Sequence, residues 1–202
     1  MGNSYHLIDV AEVFSGSAVE RSGNGASAVM VGDLTGTGVL PPELTSVGPP
    51  KTGLEASLRA GDIVISLRGN ANNCAVVTLD TANRKPAFAT LDLAVIRISC
   101  DALVTPEYLA TYLNLPSTQM QLSEHRSGTA ALRLPLGALR ELEIPVPTIE
   151  RQRTIVALSK CAAEERALTA RLGALRTDMI NELLRQAAGR VPGSPASTRN
   201  SG

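Results

Sequence analysis

Leu142-Glu143-Ile144-Pro145-Val146-Pro147-Thr148-Ile149-Glu150 is the stretch where this chain changes character. Each of its prolines restrains the preceding residue to extended geometry, so residues 142–147 are extended and no helix crosses them. Thr148 then offers a side-chain oxygen for a helix cap, and Glu150 places a negative charge in the first turn. From there no proline occurs until Pro192 and only Gly173 interrupts, which predicts one helix from 148 to about 188. Along it, Leu158, Cys161, Leu168, Leu172, Leu175, Met179 and Leu183 keep to one face, with Glu165 as the charged residue on that seam. A domain of some 147 residues cannot cover so long a seam, so part of it is expected to meet another helix.

Working outward, residues before Pro147 carry 10 basic and 14 acidic side chains, and those after it 9 basic and 5 acidic. A formal net charge of zero over 202 residues therefore conceals a −4 first part and a +4 second part. The first part is also broken by Gly and Pro into short runs. Ala28–Val31, Asp62–Leu67, Ala75–Leu79 and Leu93–Ile98 are apolar and β-prone between turn residues, and read as strands. Thr105-Pro106-Glu107-Tyr108 opens a helix whose apolar face is Leu109, Tyr112 and Leu113, ending before Pro116. Leu7, Val10, Ala11 and Phe14 have the spacing of a short helix stopped by Gly16. The expected fold class is α+β: a globular domain at 1–147 with a mixed sheet and short helices, then a long helix at 148–188. Residues 189–202, rich in Gly, Ser and Pro, read as a disordered tail.

Composition excludes several functions. Five aromatic residues and no Trp cannot build a stacking platform for single-stranded nucleic acid, and balanced charge is wrong for a generic polyanion binder. No run approaches the roughly 18 apolar residues that cross a bilayer, and Met1–Val10 lacks the layout of a secretory signal, so a cytoplasmic protein is expected. Cys74, Cys100 and Cys161 form no C-x-x-C pair and read as reduced, buried, apolar residues. Val31-Gly32-Asp33-Leu34-Thr35-Gly36-Thr37-Gly38 looks like the glycine-rich loop of an S-adenosylmethionine methyltransferase, but Val39-Leu40-Pro41-Pro42 follows where a helix should open. His6 and His125 have no ligand-spaced partner, and no Walker loop, nucleophile elbow or metal-dependent nuclease cluster is present. The expectation is a protein with no catalytic residues, no cofactor and no metal.

Leu134 to Val156 resembles the end of a target recognition domain in type I restriction-modification specificity subunits, matching at Leu139, Leu142, Ile144, Pro145, Pro147, Gln152 and Ile155. Leu58-Arg59-Ala60-Gly61-Asp62-Ile63-Val64-Ile65-Ser66-Leu67-Arg68-Gly69 is similar to the family's glycine, aspartate and apolar strand. Tyr108-Leu109 and the opening Leu7–Gly16 also fit, so the likeness spans nearly all of residues 5–188. Members of that family normally carry two recognition domains and two long helices, each domain reading half of a bipartite DNA site. They guide a methyltransferase and a restriction translocase and catalyse nothing themselves. This chain has one domain and one helix, so the resemblance implies a half specificity subunit that pairs as a homodimer through antiparallel helices.

The implied partners are duplex DNA, a DNA methyltransferase subunit and a restriction subunit. Three loops hold side chains suited to DNA: Arg68, Asn70, Asn72 and Asn73; Arg84 and Lys85; and Arg126, Ser127 and Thr129. Arg and Asn can read guanine and adenine edges, and Ser and Thr can anchor phosphates. The helix face Leu158, Leu168, Leu172, Leu175, Met179 and Leu183 is the expected partner-binding surface. A −4 recognition domain keeps a rival open: an assembly protein of the same fold that binds proteins and does not read DNA.

Overall fold

The structure is a computed structural model that describes residues 3–20, 23–50, 54–69, 71–78, 85–99, 103–128 and 132–189. The expected tail from 190 onward, Cys100 and residue 79 of the third expected strand lie outside these. The chain forms two compact units, Met1–Ser159 and Lys160–Gly202.

At the centre of the first unit is a five-stranded mixed sheet ordered β2 (Ala11–Ser15), β9 (Leu93–Ile98), β6 (Ile63–Ser66), β7 (Cys74–Val76) and β4 (Gly38–Val39). All pairs are antiparallel except β4 with β7. The unbroken apolar runs of β6 and β9 follow from burial on both faces, because successive side chains point to opposite sides of a strand. Ile63, Ile65, Ala94 and Ile96 enter one core with Leu7, Tyr108, Leu109, Leu113, Leu122, Leu139 and Ile144. Val64, Leu93 and Val95 enter another with Val29, Leu34, Leu58 and Ala87.

A second sheet orders β5 (Thr45–Val47), β3 (Ala26–Val29) and β8 (Ala87–Ala89), with β3 and β8 parallel. Phe88 is its fully buried centre, beside Ala26, Ala28 and Val47. The glycine-rich segment forms no cofactor loop. Val31–Asp33 is one 3-10 turn, closed where Met30 N–H donates to the Asp33 carboxylate at 2.8 Å, and Gly38 already belongs to β4.

Only part of the expected first helix forms. α1 covers Leu7–Val10, after which Ala11–Ser15 extends as β2 against β9. The spacing of Leu7, Val10, Ala11 and Phe14 is helical, yet Ala11 and Val13 also alternate with Glu12, and nine-tenths of their surface is buried when they pair as a strand. Gly16 then passes so near the next segment that an added Cβ would lie 2.1 Å from the Thr90 carbonyl oxygen.

The second expected helix is α2, Pro106–Leu113, with the Thr105 hydroxyl accepting from Tyr108 N–H. α3, Pro116–Glu124, follows at once, and both begin on a proline that suits a first turn. After α4 (Leu136–Arg140), β10 (Glu143–Val146) pairs antiparallel with β1 (Asn3–His6) in a third, two-stranded sheet. Tyr108 donates its hydroxyl to Pro145 O at 2.6 Å, fastening α2 to this strand.

His6 caps that junction, its Nδ1 lying 2.9 Å from Glu141 O. The carbonyl, followed by the nearby carboxylates of Glu141, Asp9 and Glu143, raises its pKa above the ordinary 6.5. A raised folded-state value means that the stabilisation is complete below the unfolded pKa and is lost as pH rises through the folded one. Thermal melts on either side of that window should therefore show a downward step with pH that His6→Gln removes. An identical pH profile for both proteins would show that the contact is not coupled to folding.

α5 runs unbroken over Ile149–Gly189. Its first turns belong to the first unit, where Gln152 is fully buried. The Gln152 amide donates to Leu103 O at 2.7 Å and Pro147 O at 2.9 Å, and its oxygen accepts from Thr105 N–H at 2.9 Å. In the second unit, by contrast, Leu168, Leu172, Leu175, Met179 and Leu183 are each more than half exposed. Ile180 and Leu184 are equally exposed and widen the stripe.

Candidate nucleic-acid interface

The first and third expected loops meet at one end of the central sheet. Arg68, just beyond β6, is bridged antiparallel to Arg133, and Arg133 is bridged in turn to Ser127. Backbone hydrogen bonds join Ser127 and Arg133 in both directions at 3.0 and 3.1 Å, and Leu134 N–H donates to Leu67 O at 2.9 Å. Leu67 N–H donates to Asp92 O at 2.9 Å, which adds the turn before β9 to the same junction. Arg68 Nε stands 3.0 Å from the Asp92 carboxylate, both side chains being nearly half exposed. Arg133 Nη2 donates to Leu91 O at 3.1 Å. Sequence reading missed Arg133, whose proximity depends on chain segments some 65 residues apart.

Asn72 stands differently from its expected role. It is fully buried, with its Nδ2 donating to Ser66 O at 2.6 Å and its Oδ1 accepting from Arg126 Nε and Nη2 at 2.9 and 2.8 Å. An enclosed amide with its groups engaged in this way cannot read a base edge. It positions Arg126 instead. Gln119 of α3 brackets the Asn72 backbone, accepting from its N–H and donating to its C=O, each at 2.9 Å. Asn114 does the same for Cys74 at 3.0 and 2.9 Å. Two side-chain amides thus satisfy backbone groups around the start of β7 that a further strand would otherwise satisfy.

Asn73 donates to Leu34 O at 3.1 Å and is half-buried, whereas Ser127 is exposed. Lys85 precedes β8 in the other sheet, and Asn24 holds its ammonium at 2.9 and 3.2 Å. Asn70, Arg84 and Thr129 lie outside the described residues.

The described residues of the first unit also line two open concavities. One of about 320 Å³ is lined by Arg59, Asp62, Arg97 and Ser99, but both Asp62 carboxylate oxygens accept from Arg97, at 2.9 and 2.7 Å. That pairing raises the Arg97 pKa, and the arrangement is a largely buried ion pair in which the carboxylate is already engaged. The other, about 850 Å³, lies at the root of α5 between Tyr108, Pro145, Pro147, Ile149 and Ile155. Burial pushes the Cys74 thiol up, so it is a poor nucleophile. Cys161, expected inside, is exposed. Among the described residues no group of three His, Cys, Asp or Glu side chains could hold a metal ion. Nor is any described helix long and apolar enough to cross a membrane.

The sequence matches no protein-family model and no curated protein. Its fold does match solved structures. One from a study of complex assembly and conformational transition of the type I R-M system aligns at a TM-score of 0.66 and 20% identity, covering 90% of this chain and 43% of that one. The HsdS subunit from Thermoanaerobacter tengcongensis aligns at 0.58 and 20%, covering 84% and 39%. The type I restriction-modification S subunit from M. genitalium aligns at 0.54 and 14%, covering 90% and 44%. The chain therefore has the α+β fold of a type I restriction-modification specificity subunit. It spans less than half the length of these three solved chains.

Proposed function

We propose that this protein is a sequence-recognition subunit of a type I-like restriction-modification system, acting as half of a specificity subunit and catalysing nothing itself. The observation that carries this reading is a specificity-subunit fold matched over 84% to 90% of this chain, together with an apolar stripe left exposed along α5. Duplex DNA lies against the Arg68, Arg126 and Arg133 corner. Leu158, Leu168, Leu172, Leu175, Met179 and Leu183 bind a second copy, and the assembly docks a DNA methyltransferase and a restriction subunit.

A single domain presents one reading surface, so two copies related by a twofold axis read the same half-site in inverted orientation. A helix of 41 residues is roughly 60 Å long at 1.5 Å per residue, which sets the scale of the spacer. Mapping methylated bases in the source genome, with and without this gene, tests the reading. The expected result is an interrupted palindrome that disappears with the gene. An asymmetric motif would replace the homodimer by a heterodimer, and the absence of any gene-dependent motif would favour the protein-binding rival, to which the −4 charge of residues 1–147 otherwise points.

A further inference from the structure

Across an antiparallel pair, residues directly opposite each other project on the same side, and like charges placed there repel. Arg68 and Arg133 are such a pair. The domain as a whole is acidic, yet around this bridge the described residues of 66–69, 71–74, 90–93, 124–128 and 132–134 contribute Arg68, Arg126 and Arg133 against Asp92 and Glu124. Arg68 pairs with the Asp92 carboxylate and Arg133 with the Leu91 carbonyl next to it in sequence, a corner that an added anion would complete. We propose that Arg68 and Arg133 together bind one backbone phosphodiester of duplex DNA, and that Asp92 is the resting counter-ion which the phosphate displaces. This rests on the DNA-recognition reading and assigns its phosphate anchor.

The geometry supports exchange. The Arg68–Asp92 contact is half exposed, and ion pairs of that kind are worth little in water, so a phosphate with more acceptor oxygens can replace the carboxylate at small cost. Arg133 meanwhile keeps its hold on Leu91 O through Nη2, which limits the freedom of its guanidinium before any ligand arrives. Arg126 is held from behind by the buried Asn72 and braces the same bridge through Ser127. Asp92 thereby restrains binding to arbitrary DNA, since it must be displaced each time.

The test is binding of the full chain to a mixed-sequence duplex, followed by fluorescence anisotropy at several salt concentrations. Arg68→Ala and Arg133→Ala should each weaken binding several-fold, and the double variant should flatten the slope of log K against log salt by about one unit rather than two, because both hold one phosphate. Asp92→Asn should bind several-fold more tightly than the parent, a gain that misfolding cannot imitate. A parent-like slope in the double variant, or weaker binding by Asp92→Asn, would overturn the phosphate anchor while leaving DNA recognition in place. No duplex binding by the parent at any salt would overturn the DNA reading itself, and the anchor with it.

Discussion

Replacing Leu172 and Leu175 together by Asp is expected to take the protein from an assembled state to a monomer. Both side chains are 56% exposed in the isolated chain and lie one helical turn apart on a stripe with Leu168, Met179 and Leu183. Fully burying a leucine stabilises by roughly 1.5 to 3 kcal/mol, so covering the exposed half of these two is worth about 2 to 3 kcal/mol per copy before the cost of enclosing two carboxylates is counted. That is a loss of more than about a hundredfold in association constant. Asp costs a helix interior only about 0.7 kcal/mol relative to Ala, so the variant should keep its helicity by circular dichroism. Sedimentation velocity and co-purification of partner subunits provide the check. Parent-like behaviour in both would remove this stripe as the interface.

A second large effect is expected at Gln152. Truncation to Ala would leave Thr105 N–H, Leu103 O and Pro147 O without their side-chain partner inside the fold, and would open a cavity where the residue is now fully buried. These three groups are part-buried, so each costs at the low end of about 1 to 3 kcal/mol when orphaned, and a total of about 3 kcal/mol is expected with the cavity included. Urea unfolding of the full chain measures it. Gln152→Leu keeps most of the volume and the same orphans, so it should be nearly as damaging. If either variant unfolds within about 0.5 kcal/mol of the parent, Gln152 does not lock the root of α5.

The extended segment before α5, the helix itself and its apolar stripe were legible in the sequence because each is a local property. Two prolines dictate backbone geometry, and a spacing of three and four dictates a helix face. The strands β6 and β9 were equally plain, since burial on both faces leaves an unbroken apolar run that no tertiary contact is needed to recognise. By the same logic Arg68 and Arg126 were identifiable as candidates by residue type and turn context.

Tertiary structure alone decided which of those candidates keeps company with which. Ala11–Ser15 satisfies a helical spacing and a strand alternation, and only the open edge of β9 settles it as a strand. Asn72 has the composition of an exposed turn residue, yet Gln119 and Ser66 enclose it and turn it into the support for Arg126. Arg133 and Asp92 carried no local signal. They join Arg68 through bridges and backbone hydrogen bonds between distant segments, and the partner across such a ladder is chosen by the packing of whole elements rather than by the residues on either side of it.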